Sequence, residues 1–158
     1  MRVKILISAI IFQILSLIAM LAYAYVPIYF GKEIKVDVTL YDPRDLLRGN
    51  YVSLNYDFSA LPIKYADLQK PGTKIYLALK DINGTYVKDE YSFVKPKNQI
   101  FLTGRIYGNR AKFGIEAFFM PVDKALQIER DIRQKGAWAI LSVMDNGSAR
   151  IKEIVLKE

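Results

Sequence analysis

The stretch Ala137–Leu156, which reads AWAILSVMDNGSARIKEIVL, decides the fold class of this chain. Two strand-like runs, Ala137–Met144 and Ala149–Leu156, lie on either side of a central Asp145-Asn146-Gly147. An Asn-Gly pair between two such runs is among the strongest signals for a tight β-hairpin turn. The stretch therefore predicts two antiparallel strands that pair directly.

The same pattern occurs twice more upstream. Lys74–Leu79 and Thr85–Val94 flank a turn that contains Asn83-Gly84. Ile100–Ile106 and Arg110–Phe119 flank a second turn that also contains glycine. We therefore expect two further hairpins, because glycine and asparagine adopt the backbone conformations that such turns require.

Two more strands are expected before these hairpins. Ile34–Tyr41 alternates apolar and polar residues, which is the period of a half-buried strand. Tyr51–Phe58 alternates in the same way. The inward face of this second strand is predicted to consist of Val52, Leu54, Tyr56 and Phe58.

One segment has the period of a helix. Val122–Lys135 places its apolar residues at helical spacing, with Pro121 before it and Gly136 after it, as is typical of helix ends. The sequence thus predicts about eight strands and one late helix, without a βαβ alternation. We expect a mainly β (β-rich α+β) protein whose strands close as an antiparallel barrel or sandwich.

The N-terminal stretch is apolar. No charged residue occurs from Ile5 to Phe30, and about 20 apolar residues suffice for a helix to cross a bilayer. A cleaved signal peptide is the alternative, because Ala22-Tyr23-Ala24 has the small-x-small pattern of a cleavage site. The apolar run is longer than a signal-peptide core, which favours a retained transmembrane anchor over residues 1–30 and one domain over residues 31–158.

The charges around the anchor indicate its orientation. Arg2 and Lys4 precede it, and Lys32, Glu33 and Lys35 follow it. Because the short segment before the anchor is purely positive, the positive-inside rule favours an N-terminus in the cytoplasm. We expect a single-pass protein of the cytoplasmic membrane whose domain lies on the extracytoplasmic side, in the cell envelope.

Composition excludes several classes of function. Lys and Arg number 23, Asp and Glu number 16, and the two signs are interspersed. This favours a solvated surface near an anionic membrane over nucleic-acid binding. The sequence has no histidine and no cysteine, which excludes Ser-His-Asp catalysis, Cys-His catalysis and the usual zinc sites. We expect no metal site and no cofactor.

The segment Asp42–Tyr56 is the richest in special residues. Asp42 is placed to cap a short helix, with Pro43 at its first position and Asp45 as a reciprocal acidic partner. Gly49 is placed to end that helix in a left-handed conformation. We interpret these four residues as a capped turn between two strands.

Two arginines of this segment are not explained by the turn. Arg44 and Arg48 lie four residues apart, which puts them on one face of the predicted short helix. Like charges at that spacing repel, so an anionic group is expected beside them. The partner is either an internal carboxylate, such as Asp45, Asp57 or Glu116, or an external ligand or protein.

Two motifs of this sequence resemble those of a known family. Arg48–Tyr56, which reads RGNYVSLNY, looks like the signature of the GDYXXLXY family, and Asp42–Leu47 resembles the usual lead-in to it. Phe113–Pro121, which reads FGIEAFFMP, resembles the family's later Gly-Ile-Glu-x-Tyr-Phe-Val-Pro stretch. Asn50 stands where the family has aspartate and Phe118 where it has tyrosine, so any role of that aspartate's charge is in doubt.

The resemblance implies a location and a kind of partner rather than a reaction. The family consists of small membrane-anchored bacterial proteins without an assigned molecular function. They resemble accessory proteins that accompany multi-spanning membrane proteins. An integral membrane protein partner is thus implied here, whereas the ligand is unknown.

The second motif adds a candidate partner for the arginines. A buried Glu116 would need a charge partner or a raised pKa. Arg44 or Arg48 could be that partner, and the pair would then join the two motifs. Alternatively, Glu116 lies on an exposed face of the sheet. The candidate binding residues are therefore Arg44, Arg48, Asn50, Tyr51, Tyr56 and Glu116. Structural roles in the motifs are assigned to Asp42, Pro43, Asp45, Gly49, Leu54 and Gly114.

Three classes of function fit these observations. The first is an accessory protein that binds its partner through the surface of Arg44, Arg48 and Tyr51, since arginine and tyrosine are enriched at dominant interface positions. The second is a membrane-bound Ser/Lys-type hydrolase with Ser53 and Lys112, which needs no histidine. The third is a purely structural envelope protein. No nucleophile motif surrounds Ser53, so we expect the protein not to be an enzyme.

Overall fold

The computed structural model describes residues 2–40, 51–66 and 70–157. A long helix, α1 (Arg2–Phe30), precedes a domain built mainly of strands, which also contains α2 (Ile63–Ala66), α3 (Val122–Lys135) and a 3-10 turn at Asp57–Ser59. Within the described residues the strands are β1 (Lys32–Leu40), β2 (Tyr51–Asn55), β3 (Lys74–Ile82), β4 (Thr85–Ser92), β5 (Phe101–Tyr107), β6 (Arg110–Lys112), β7 (Ala117–Phe119), β8 (Ala137–Val143) and β9 (Ala149–Leu156).

These strands form one curled sheet. Its order is β6-β5-β3-β4-β1-β2-β7, and β8 pairs with both β1 and β9. The branch point is β1, where Val36 pairs with Ala139 of β8 and with Tyr86 of β4. The sheet curls until β5 meets the β8–β9 turn, where the Thr103 N–H donates a 2.7 Å hydrogen bond to the Gly147 carbonyl. This half-barrel confirms the expected mainly β, barrel-like domain.

The three hairpins are confirmed. Strands β3 and β4 pair antiparallel, as do β5 and β6, and β8 and β9. Asn83 and Gly84 join β3 to β4 with φ angles of 54° and 81°. Two positive φ angles are the requirement of the type I′ turn, so the Asn-Gly signal predicts this connection for a physical reason.

The expectation of one continuous strand over Arg110–Phe119 is wrong. The segment is divided into β6 and β7, with a break at residues 113–116. Gly114 lies in this break with a φ of 80°, a conformation that glycine adopts at little cost. The break lets the chain leave β5 and continue as the neighbour of β2.

The inward face predicted for the second strand is confirmed. Val52, Leu54, Tyr56 and Phe58 are each at most 2% exposed. The strand itself is shorter than predicted, since β2 ends at Asn55 and the chain continues into the 3-10 turn. The rings of Tyr56 and Phe58 still stack with their centroids 5.0 Å apart, so the last two residues remain part of the core.

Helix α3 has the predicted bounds. Gly136 follows it with a φ of 75°, and its N–H donates a 2.8 Å hydrogen bond to the Ile132 carbonyl. Ala125 and Ile132 are buried on the inner side of the helix. The helix thereby packs against β1, β2 and β9.

Helix α1 is long and apolar enough to cross a membrane over Val3–Phe30. Its C-terminal end is joined closely to β8. Ser142 Oγ donates a 2.6 Å hydrogen bond to the Pro27 carbonyl, which is one of the last carbonyls of the helix and has no partner within it. A Cβ on Gly31 would lie 2.9 Å from the Val143 nitrogen and closer still to Ser142 Oγ, so only glycine fits this joint.

Candidate functional site

The two sequence motifs meet in the sheet. Strand β2, from the first motif, pairs antiparallel with β7, from the second. Tyr51 lies opposite Phe119, and Ser53 lies opposite Ala117. Segments that are far apart in the sequence therefore form one continuous surface, as expected if the motifs act together.

The turn between β6 and β7 is held by Glu116. One carboxylate oxygen accepts a 2.6 Å hydrogen bond from the Phe113 N–H, and the other accepts a 3.0 Å bond from the Gly114 N–H. The backbone carbonyl of Glu116 accepts a further bond of 2.8 Å from the Leu54 N–H. Glu116 is half-buried. Its hydrogen bonds to Gly114 and Leu54 support the structural roles that the sequence predicts for these two residues.

Tyr56 lies beneath this surface. The side chain is 1% exposed, and its hydroxyl donates a 2.8 Å hydrogen bond to the Ile115 carbonyl. Burial, together with the negative charge of Glu116, raises the pKa of the Tyr56 phenol well above its ordinary value. This placement favours a role in joining the two motifs over direct contact with a ligand.

An aromatic pair lies on the outer face of the same strands. The ring centroids of Tyr51 and Phe119 are 5.6 Å apart, within the range of favourable ring contacts. Phe119 is 75% exposed. A large exposed aromatic side chain beside a tyrosine is the kind of feature that protein interfaces use.

A cavity of about 330 Å³ opens next to this pair. The side chains that matter for its chemistry are Tyr51, Ser53, Ser59, Arg110, Lys112 and Glu116. Two of them are cations, and the oxygens of the one carboxylate already accept backbone hydrogen bonds. The volume lies near the lower end of the range for small-ligand pockets. The cavity therefore suits a small group that accepts hydrogen bonds, such as a carboxylate.

Ser59 and Arg110 are the members of this site that sequence reasoning missed. The Ser59 hydroxyl is buried and has no hydrogen-bond partner among the described residues. Arg110 donates a hydrogen bond to the side-chain oxygen of Asn55. Neither residue lies in a motif, and only the long-range packing of the 3-10 turn against β6 brings them together.

The remaining candidate residues of the first motif lie outside the described residues, and the predictions made for them stay predictions. They are Asp42, Pro43, Arg44, Asp45, Arg48, Gly49 and Asn50. The predicted pairing of Arg44 or Arg48 with Glu116 also depends on residues outside the described ranges, so it stays a prediction. Within the described ranges, no cluster of three or more acidic, histidine or cysteine side chains is arranged to hold a metal ion.

Comparison with known proteins agrees with the two motifs. The sequence model of the GDYXXLXY protein family matches residues 13–154, which is nearly the whole chain. No curated protein and no solved structure matches the chain. The match includes α1 from Gln13 onward and the described strands from β1 to β9, the last of them as far as Ile154. This chain therefore belongs to the GDYXXLXY protein family.

Proposed function

We propose that this protein is a membrane-anchored accessory protein that binds an integral membrane protein with its extracytoplasmic domain. The binding site in this proposal is the motif surface, by which we mean Tyr51, Phe119 and the cavity lined by Ser53, Arg110 and Lys112. The partner is a multi-spanning protein in the same membrane, and α1 keeps the domain close to it.

The observation that carries this proposal is the pairing of β2 with β7. It brings the two family motifs together and leaves an exposed aromatic pair beside a cavity. A purely structural spacer would need neither feature. Aromatic side chains contribute strongly to binding when a partner covers them, because they bury a large apolar area with few rotatable bonds.

The chemistry of the cavity indicates what it would bind. Arg110 and Lys112 supply positive charge, and Ser53 supplies a hydroxyl. An acidic side chain or a chain-terminal carboxylate of the partner would complement these groups. Arg44 and Arg48 would add to this positive charge if they contribute to the same surface, as the sequence predicts.

Orientation and retention of the helix are part of the proposal. The positive residues Arg2 and Lys4 support an N-terminus on the cytoplasmic side. Continuation of α1 past Ala24 to Phe30 supports a retained anchor rather than cleavage. The domain would then lie outside the cytoplasm, at the membrane surface.

Affinity purification from intact membranes, with mass spectrometry of the proteins that accompany the full chain, tests the proposal. Phe119→Ser removes an exposed ring and should leave the fold intact while reducing recovery of the partner at least about tenfold, because exposed interface aromatics are typical hot spots. Val94→Ser is a matched control, since Val94 is also 75% exposed and lies outside the motifs. Equal recovery with both variants would contradict the proposal.

A hydrolase is the second candidate, because Ser53 and Lys112 line the same cavity. Lys112 is exposed, and its ammonium lies 5.4 Å from the centre of the Tyr107 ring. A lysine that acts as a base needs a desolvated site, so we place this function second. Labelling by a fluorophosphonate probe that disappears in Ser53→Ala would establish it and overturn the first proposal.

A further inference from the structure

Gln13 is the only side-chain amide in the apolar span of α1. The other polar side chains between Ile5 and Ser16 are the serines Ser8 and Ser16. Ser8 satisfies its hydroxyl within the helix, by donating a 2.9 Å hydrogen bond to the Lys4 carbonyl. A glutamine has two donors and an acceptor on a longer side chain, and Gln13 is exposed on the helix surface.

The depth of Gln13 follows from the residues on either side. Lys4 is the last charged residue before the uncharged stretch that begins at Ile5, and Tyr23 is the first tyrosine of the expected aromatic belt. With a rise of about 1.5 Å per residue, Gln13 lies about 14 Å from the first and about 15 Å from the second. The hydrocarbon core is roughly 30 Å thick, so these distances put Gln13 at the bilayer midplane.

Small side chains accompany Gln13 on one face of the helix. Of its four neighbours on the helix surface, at three and four residues in each direction, Ala9 and Ser16 are small and lie together on one side of Gln13, whereas Ile10 and Leu17 lie on the other. The opposite face carries larger side chains, among them Ile11 and Ile18. Small residues let two helix backbones approach closely, and an amide between them can bond across the interface.

We propose that α1 forms a parallel dimer with a second copy of this chain, in which the two Gln13 amides hydrogen-bond to each other at the midplane. The same orientation in the membrane puts both amides at the same depth. An amide is self-complementary, because its N–H₂ donates to the oxygen of an identical group. No special group on another protein is required, which is why a second copy suits this face best.

The proposal can be tested with the full chain in vesicles of phosphatidylcholine and phosphatidylglycerol. The sequence has no cysteine, so Asp89→Cys on the exposed part of β4 offers a single labelling site. Energy transfer between donor- and acceptor-labelled copies is measured while lipid is added to dilute them. We expect transfer in the unsubstituted helix, and about tenfold weaker association in Gln13→Leu, since reciprocal interhelical bonds contribute on that order.

Two controls keep the result specific. Gln13→Asn retains the amide and should retain association, whereas Gln13→Leu is more apolar and inserts at least as well. In intact membranes, oxidative cross-linking should join Ser16→Cys copies to each other but should not join Ile18→Cys copies. Absence of energy transfer in the unsubstituted helix, or equal transfer in Gln13→Leu, would overturn the dimer, as would cross-linking of Ser16→Cys only to another protein.

This inference is independent of partner binding by the motif surface. Phe119→Ser should lose the membrane protein partner and keep the energy transfer. Gln13→Leu should lose the energy transfer while the motif surface is unchanged. Failure of one proposal is therefore distinguishable from failure of the other.

Discussion

The Tyr56 hydroxyl and the Ile115 carbonyl oxygen are joined by a buried hydrogen bond of 2.8 Å that spans 59 residues of sequence. Ile115 is itself fully buried, so bulk solvent does not reach its carbonyl oxygen. This bond connects the end of the first motif to the centre of the second. It explains in physical terms why a tyrosine, and not simply an apolar residue, follows β2.

Tyr56→Phe tests this connection. The substitution keeps the ring packing and leaves the Ile115 carbonyl without its donor, so we expect a loss of about 1–3 kcal/mol in the free energy of unfolding. Chemical denaturation of the full chain in detergent measures it. Tyr107→Phe, at a tyrosine 46% exposed, should change stability by less than about 0.5 kcal/mol. Equal effects of the two substitutions would contradict the interpretation.

Alkaline pH should destabilise the domain through its buried tyrosines. Burial, with a smaller effect from Asp57, raises the pKa of Tyr91 to about 12 from its ordinary 10.0. Above pH 10 the unfolded state loses the phenol proton while the folded state keeps it, so stability falls as the pH rises. For Tyr91 this fall extends from pH 10 to about 12.

The contribution of Tyr91 can be isolated by comparing how steeply the free energy of unfolding falls with pH in the unsubstituted protein and in Tyr91→Phe. The free energy of unfolding, measured by urea at several pH values from 9 upward, should fall less steeply in Tyr91→Phe than in the unsubstituted protein. The substitution also removes a 2.6 Å hydrogen bond to the Phe58 carbonyl, so absolute stabilities differ and only the slopes are informative. Parallel slopes would show that Tyr91 does not titrate in this way.

Glu116→Ala should loosen the turn between β6 and β7. The variant leaves the N–H groups of Phe113 and Gly114 without their carboxylate acceptor, and charge-assisted bonds of this kind contribute about 1.5–3 kcal/mol. Hydrogen exchange measures the two amides directly, and both should exchange faster. Glu153→Ala, at an exposed position of β9, serves as the control and should leave the exchange rates of these two amides unchanged. Equal exchange rates of the two amides in both variants would rule out the role assigned to Glu116.

Two glycines with nearly equal φ angles separate backbone strain from steric conflict. Gly84 and Gly147 have φ angles of 81° and 79°. A Cβ on Gly84 meets nothing within 4 Å, whereas a Cβ on Gly147 would lie 2.7 Å or less from Phe101. Gly84→Ala should therefore destabilise by about 1–2 kcal/mol, the left-handed strain alone. In thermal unfolding, Gly147→Ala should lower stability more than Gly84→Ala does. Equal losses of stability in the two variants would mean that the Phe101 ring moves aside without an energetic penalty.

Much of this fold could be predicted from the sequence because its signals are local. Asn83 and Gly84 encode their turn through two positive φ angles, and Gly147 supplies a positive φ to the turn between β8 and β9. The inward face around Val52 and Leu54 follows from a strict period of two. The bounds of α3 follow from Pro121 and Gly136, which act within one helical turn.

The break at residues 113–116 could not be predicted, because its cause is not local. Phe113 and Ile115 continue the strand alternation and are both buried, so the pattern alone indicates one long strand. What divides the strand is the pairing of β7 with β2, more than 60 residues earlier in the sequence. The cavity has the same kind of origin, since Ser59 and Arg110 meet only after the sheet has curled.

The joint between α1 and β8 couples the orientation of the domain to the orientation of the helix. Gly31 is too crowded to accept a side chain, and Ser142 holds the Pro27 carbonyl, so there is no loose linker between helix and domain. A rotation of α1 about its own axis in the bilayer would turn the domain by the same angle. With α1 anchored in the membrane as proposed, the direction in which Phe119 points around the membrane normal would be set by the neighbours of the helix inside the lipid.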